Sequence, residues 1–110
     1  MHPRRGEVWW VSFDASVGGE IQKTRPAVIL SNDSANAALN RVIVVPISSQ
    51  VAKVYPGEAL ITLNGKQRKA MADQIMTASK QRLKNKLGIL SRVDVTAVEG
   101  AVLLQLAIRR

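Results

Sequence analysis

Few side chains in this chain are equipped for chemistry, and the best placed of them is Arg25. In the run Thr24-Arg25-Pro26-Ala27-Val28-Ile29-Leu30-Ser31-Asn32-Asp33 it stands between a polar loop and a short apolar strand that ends in turn-forming residues. A guanidinium is planar, permanently charged and able to donate paired hydrogen bonds, which suits it to a phosphodiester at the mouth of a strand. Other candidates fall away by residue type. Cysteine is absent, which removes thiolate nucleophiles, disulfides and Cys-based metal sites. The single histidine, His2, lies two residues from the start and is expected to fray, so a two-histidine acid–base mechanism is excluded. Asp and Glu together number 8 and show no His-X-X-Glu or Asp-X-Asp pattern, so a metal site has no support and function without metal or other cofactor is expected.

Charge points to the partner. Sixteen Lys and Arg against eight Asp and Glu give a formal net charge of +8, a balance that favours a polyanion, with nucleic acid first. The excess is concentrated in residues 66–92, where Lys66, Arg68, Lys69, Lys80, Arg82, Lys84, Lys86 and Arg92 face only Asp73. A solvated basic surface is the competing reading of the same run.

The elements that must position these groups read as one α+β domain over residues 1–110. At 46% hydrophobic content the chain holds enough apolar residues for one core, and no run approaches the roughly 18 needed to span a membrane. The start, Met1-His2-Pro3-Arg4-Arg5, lacks a signal peptide's apolar centre, so a cytoplasmic protein is expected. A first strand over residues 6–13 places Trp9, Val11 and Phe13 on one face and turns Trp10 the other way, where a groove or subunit contact is the alternative to the core membership expected of each indole. Residues 14–24, with Gly18 and Gly19, compose a loop of functional length. Strands over 26–30 and 41–47 should both be buried, the first closed by Ser31-Asn32-Asp33-Ser34. A loop over 51–57 precedes a strand over 58–63, and Asn64-Gly65 is a hairpin turn. The next strand, 67–77, carries the polar pair Asp73-Gln74 in its middle, which suggests an exposed or functional edge. Residues 79–87, stopped by Gly88, read as a short helix with Lys80 and Lys84 on its solvated face. Ser91-Arg92-Val93-Asp94 matches a capping box opening a second, mostly buried helix, whose core face is Val98, Val102 and Leu106 or Val93, Ala97, Ala101 and Leu104.

The order Arg5-Gly6-Glu7-Val8, Gly19-Glu20, Arg25-Pro26-Ala27-Val28-Ile29-Leu30-Ser31-Asn32, Val45-Pro46-Ile47-Ser48-Ser49 and Ala72-Asp73-Gln74 resembles the MazF/PemK toxin endoribonuclease family nearly end to end. The resemblance implies a small SH3-like β-barrel (CcdB/PemK-like) with short helices, its C-terminal helix packed on the barrel. It also implies a homodimer that cuts single-stranded RNA, sequence-selectively and without metal. In that chemistry the substrate's own 2′-hydroxyl attacks the adjacent phosphorus, leaving 2′,3′-cyclic phosphate and 5′-hydroxyl ends. The protein then has only to hold the geometry, stabilise phosphoryl charge and move protons.

Carried over position by position, the resemblance makes Arg25 the catalytic arginine and Ser48 the hydroxyl where the family usually has threonine. Glu20 becomes an acidic loop residue able to take the 2′-hydroxyl proton or to pair with Arg25. Ser49, Lys53, Asp73 and Gln74 become RNA-binding residues, with Tyr55 a candidate stacking partner for an unpaired base and Asp73 a second candidate proton acceptor. Some members use an arginine two residues before the aspartate and a histidine before the loop glutamate. Met71 and Gly19 stand there, so that scheme does not transfer. The partners implied are single-stranded RNA, a cognate MazE-like antitoxin with an acidic tail, and a second copy of the chain. The alternative is a non-enzymatic toxin of the same fold that poisons DNA gyrase, a class lacking the Arg25 and Ser48 pairing. A plain RNA-binding SH3-like module explains the charge and leaves the ordered motifs unexplained.

Overall fold

The chain alternates short strands with turns until its last twenty residues, where the period lengthens and a helix closes the structure. The structure, a computed structural model, describes residues 2–13 and 23–109. In order, these form β1 (Glu7–Phe13), β2 (Lys23–Ile29), α1 (Asp33–Ala38), β3 (Arg41–Ser48), β4 (Glu58–Leu63), β5 (Lys66–Met71), a 3-10 turn (Ala72–Gln74), β6 (Met76–Ser79), a second 3-10 turn (Lys80–Arg82), β7 (Leu83–Ile89) and α2 (Arg92–Gln105). All pairings are antiparallel, in the order β4-β5-β3-β2-β1-β7, with β6 also on β3.

Period-two alternation gives the sheet two apolar faces. Val8, Val28, Val45, Ile47, Ile61 and Leu63 pack on one face with Leu90 and, from α2, Val98 and Ala101. Val11, Phe13, Ala27, Ile29, Val42 and Val44 form a second cluster, joined by Ala78 and flanked by Trp9 and Leu83. The curved sheet with its C-terminal helix is the expected barrel-like α+β arrangement. Its edge strands β4 and β7 carry no ladder between them; instead the Asn64 side-chain amide donates to the Leu87 carbonyl across 3.1 Å. Asn64 and Gly65 themselves make the anticipated hairpin turn, both at positive φ (51° and 80°), the backbone that a tight two-residue connection demands.

Strand β3 organises the site. One edge pairs with β2, while the other is shared: Arg41 to Val44 pair with β6, and Ile47 and Ser48 pair with β5. Between these pairings β3 contributes only Val45 and Pro46, whereas the opposing chain contributes Met71, Ala72, Asp73, Gln74 and Ile75. The surplus cannot lie flat and becomes the 3-10 turn, so the single strand expected over 67–77 is two strands with Asp73-Gln74 between them. Pro46 stands in the same gap, where a missing amide proton interrupts no pair on that edge.

Four other expectations change. The helix read over 79–87 is a 3-10 turn followed by β7, because the free edge of β1 takes the segment as a ladder partner from Glu7↔Ile89 to Val11↔Leu83. The turn read at Ser31–Ser34 starts α1 instead: Asn32 Oδ1 accepts from Ala35 N at 2.8 Å, and buried Asn36 donates to Ser31 O and Asp33 Oδ1. The strand over 26–30 is buried at Ala27, Val28 and Ile29 with Pro26 and Leu30 half-buried, but β3 is not buried throughout, since Arg41 and Ile43 are exposed. Finally α2 is a surface helix. Only Val98 and Ala101 are buried, flanked by Val95 and Val102, while Val93 and Leu104 are 77% and 60% exposed and Leu106 is exposed as well. Its N-cap is Ser91, as expected, accepting from Asp94 N at 3.1 Å. Asp94 does not complete a reciprocal box; its carboxylate takes the Thr62 N–H of edge strand β4 at 2.9 Å, tying helix to sheet.

Candidate nucleic-acid interface

β2 begins three residues earlier than its apolar run suggests, so Arg25 lies within the ladder, opposite Val11, rather than at its mouth. One residue along, Pro26 is the partner of Trp10, whose indole is 36% exposed: Trp10 takes the groove reading, not the core one. β3 ends at Ser48, whose Oγ accepts from Gln50 N at 3.0 Å. That bond fixes the oxygen and leaves its proton to be donated outward.

These groups meet. An open groove of about 440 Å³ is walled by Thr24, Arg25 and Trp10 on one side and by Ser48 and Ser49 on another. The β4–β5 hairpin supplies Asn64, Lys66 and Arg68, and the floor is apolar, from Ile47, Leu63 and Leu87. Three cations and no carboxylate line it among the described residues, a setting for a polyanion carrying flat apolar bases.

The loop following Ser48 is braced from behind. Lys69, the register partner of Ser48, is buried; its Nζ donates to Lys53 O at 2.9 Å and to Glu58 Oε1 at 3.0 Å, and Glu58 Oε1 also accepts from Tyr55 N at 2.9 Å. The same ammonium lies 5.7 Å from the centre of the Tyr55 ring.

Of the residues singled out from sequence, Arg25, Ser48 and Ser49 share the groove. Lys53 is exposed in the braced loop, engaged there through its carbonyl, and does not line the groove. Asp73 lies in a second pocket with Tyr55, Gly57, Glu58 and Gln105; Gln74, half-buried, lines neither. Glu20 lies outside the described residues. No cluster of three His, Asp or Glu able to hold a metal ion occurs among the described residues, and no helix among them is long and apolar enough to cross a membrane. Sequence reasoning left Thr24, Asn64, Lys66 and Arg68 out of the site. The available signal was spacing: Lys66 and Arg68 are two apart just after the hairpin turn, hence on the same face of β5 as buried Ala70.

Comparison with known proteins gives a family and a fold. Residues 4–106 match the family described as PemK-like, MazF-like toxin of type II toxin-antitoxin system. The sequence is 40% identical, over 112 aligned positions covering 94% of this chain and 95% of the relative, to Endoribonuclease MazF9 of Mycobacterium tuberculosis (strain ATCC 25618 / H37Rv). Among solved structures, MazF (Form-I) from Deinococcus radiodurans superposes with a TM-score of 0.84 at 24% identity, covering 98% of this chain and 99% of that one. An endoribonuclease in complex with its cognate antitoxin from Mycobacterial species gives 0.82 at 20% identity, covering 98% of each chain; at such identities the likeness concerns the fold.

Proposed function

The chain belongs to the PemK-like, MazF-like toxin family of type II toxin–antitoxin systems, and from that premise we propose that it is an endoribonuclease cutting single-stranded RNA in the groove of Arg25 and Ser48. The observation that carries the assignment of the site is the convergence of Arg25, Ser48, Lys66, Arg68 and Trp10 on one groove that no other described residue lines with a carboxylate. The gyrase-poisoning alternative is not favoured, because the relative at 40% identity is named an endoribonuclease.

The substrate's 2′-oxygen forms a bond to the adjacent phosphorus as the bond from phosphorus to the 5′-oxygen breaks, giving a 2′,3′-cyclic phosphate and a 5′-oxygen that takes a proton from solvent to become the 5′-hydroxyl. Charge grows on the nonbridging oxygens during this step. Arg25 donates its guanidinium pair to them, and Ser48 Oγ–H adds a donor whose position is set by Gln50 N–H. Lys66 and Arg68 hold flanking phosphates, Ser49 adds a polar contact beside Ser48, and Trp10 stacks on an adjacent unpaired base. We assign removal of the 2′-hydroxyl proton to Glu20, three residues ahead of Lys23 in the chain. Lys53, exposed on the braced loop, steers the RNA backbone. No step draws on a metal.

As a type II toxin the protein works against a cognate MazE-like antitoxin whose acidic tail competes for the cationic groove, and it acts as a homodimer in the cytoplasm. The test is a defined single-stranded RNA incubated in EDTA with wild type and Arg25→Ala. Cleavage should leave cyclic-phosphate and 5′-hydroxyl ends and slow by about 10² to 10³ in the variant. No cleavage, or cleavage indifferent to the substitution, overturns the reading.

A further inference from the structure

The loop that leaves the groove at Ser48 and Ser49 ends, seven residues on, in a pocket that the reaction does not use. Tyr55, Pro56, Gly57 and Glu58 form a tight turn closed by Glu58 N donating to Tyr55 O at 2.9 Å. Ala72 N donates to Gly57 O at 3.0 Å, which ties this turn to the 3-10 turn bearing Asp73. Gln105, at the end of α2, completes the wall, and a Cβ on Gly57 would lie 2.3 Å from its Oε1, so glycine is what lets the amide approach. The open space they line is about 340 Å³, ample for one nucleobase.

Its chemistry is selective. Lys69 lies beneath the Tyr55 ring but is committed to Glu58 and Lys53 O, so the pocket offers no uncommitted cation and does not suit a phosphate. Tyr55 is 58% exposed, a braced aromatic surface. The Asp73 carboxylate and the Gln105 amide make no side-chain hydrogen bond with other described residues. A carboxylate accepts only, whereas an amide both donates and accepts. Guanine fits this set: its adjacent ring N–H and exocyclic amine suit one carboxylate, and its carbonyl, next in line, suits the amide. Adenine and cytosine place a bare ring nitrogen beside the amine, and uracil flanks one N–H with two carbonyls; each would set an acceptor against Asp73.

We propose that this pocket is a nucleobase subsite that binds an unpaired guanine of the RNA close to the cleavage point, stacked on Tyr55 and read by Asp73 and Gln105. The proposal rests on the nuclease reading above, and the continuous segment from Ser48 to Gly57 links the two sites. Asp73 is then a specificity residue rather than a proton acceptor.

The experiment has two arms. A random-sequence single-stranded RNA pool is cut by wild type, Asp73→Asn, Tyr55→Ala and Gly57→Ala, each checked for folding by circular dichroism, and the ends are sequenced. Wild type should show guanine at one fixed position near the cut, and Asp73→Asn should lower that preference about tenfold, the scale of a lost bidentate base contact. Gly57→Ala, which keeps both Asp73 and Tyr55 but displaces Gln105, should weaken it as well. Cutting with no fixed guanine preference, or with a preference that survives Asp73→Asn, overturns the proposal. In the second arm the four nucleoside monophosphates are titrated into the wild-type protein by NMR. Guanosine monophosphate alone should shift the amides of Gly57, Ala72 and Asp73. If the pool is not cut at all, the nuclease reading falls and this titration decides the pocket alone. Silence at those amides, or a response only to a lysine-bearing antitoxin peptide, overturns it.

Discussion

Trp10 and Arg25 sit on paired strands one register step apart: Trp10 faces Pro26 and Arg25 faces Val11, and both line the groove that ends at Ser48. An aromatic plane and the cation assigned to the scissile phosphate therefore line one groove. Trp10→Ala should raise KM for single-stranded RNA by about tenfold with a smaller effect on kcat, as expected when one base–aromatic stack is lost. Steady-state kinetics with the variant test this, and a change confined to kcat would contradict it.

Ser48 keeps a hydroxyl but lacks the methyl that restricts a threonine rotamer. Ser48→Ala should lower kcat by about 10², the scale of one lost charge-stabilising donor, whereas Ser48→Thr should equal or exceed wild type. Single-turnover cleavage separates the cases; a variant with alanine as fast as wild type removes Ser48 from the mechanism.

Lys69 and Glu58 form a buried ion pair, each side chain about 10% exposed, and Tyr55 N and Lys53 O are bonded to it. Lys69→Met leaves Glu58 buried without its cation and should cost about 3 kcal/mol in urea unfolding. The double variant with Glu58→Gln should lose less than the sum of the single changes. Additive losses would mean that the two groups act independently.

Glu7 is buried. Burial pushes its carboxyl upward, but Arg4 N–H at 2.9 Å, the Lys86 ammonium at 3.0 Å and the Trp9 indole N–H at 3.1 Å outweigh it and hold the group below its ordinary value of 4.5. Asp33, bonded by Arg5 N–H and the Asn36 amide, is held down likewise. A depressed carboxyl contributes stability that is fully present above its unfolded value and lost as pH falls through the folded one. Unfolding free energy should therefore drop on acidification below about pH 4.5, and Glu7→Gln should make that drop shallower. Denaturation curves at stepped pH measure it; identical slopes would remove Glu7 as a contributor.

Local chemistry made some elements legible in the sequence. Asn64-Gly65 needs no tertiary information to turn, so β4 emerges at its observed bounds, and Ser91 caps α2 where its side chain alone suggests. The β7 segment was illegible because Leu83 and Leu87 are four apart and satisfy either period; the open edge of β1, distant in sequence, decides for a strand. α1 depends on the buried amide of Asn36, which composition does not reveal. Within the site, Arg25 and Ser48 could be paired through the family's ordered motifs, but Lys66 and Arg68 join them only because β5 docks beside the end of β3. Asp73 looked like part of the same cleft until the five residues opposite Val45 and Pro46 carried it to another pocket.

The sharing of β3 among three strands also sets the order in which the molecule comes apart. Amide protons of Val44 and Val45, paired on opposite edges within both apolar clusters, exchange with solvent only when the whole sheet opens. The hydroxyl at the end of that strand is therefore anchored to backbone paired on both edges and packed in both clusters. Displacing that hydroxyl should therefore require β3 itself to open, and not only the loop that follows it.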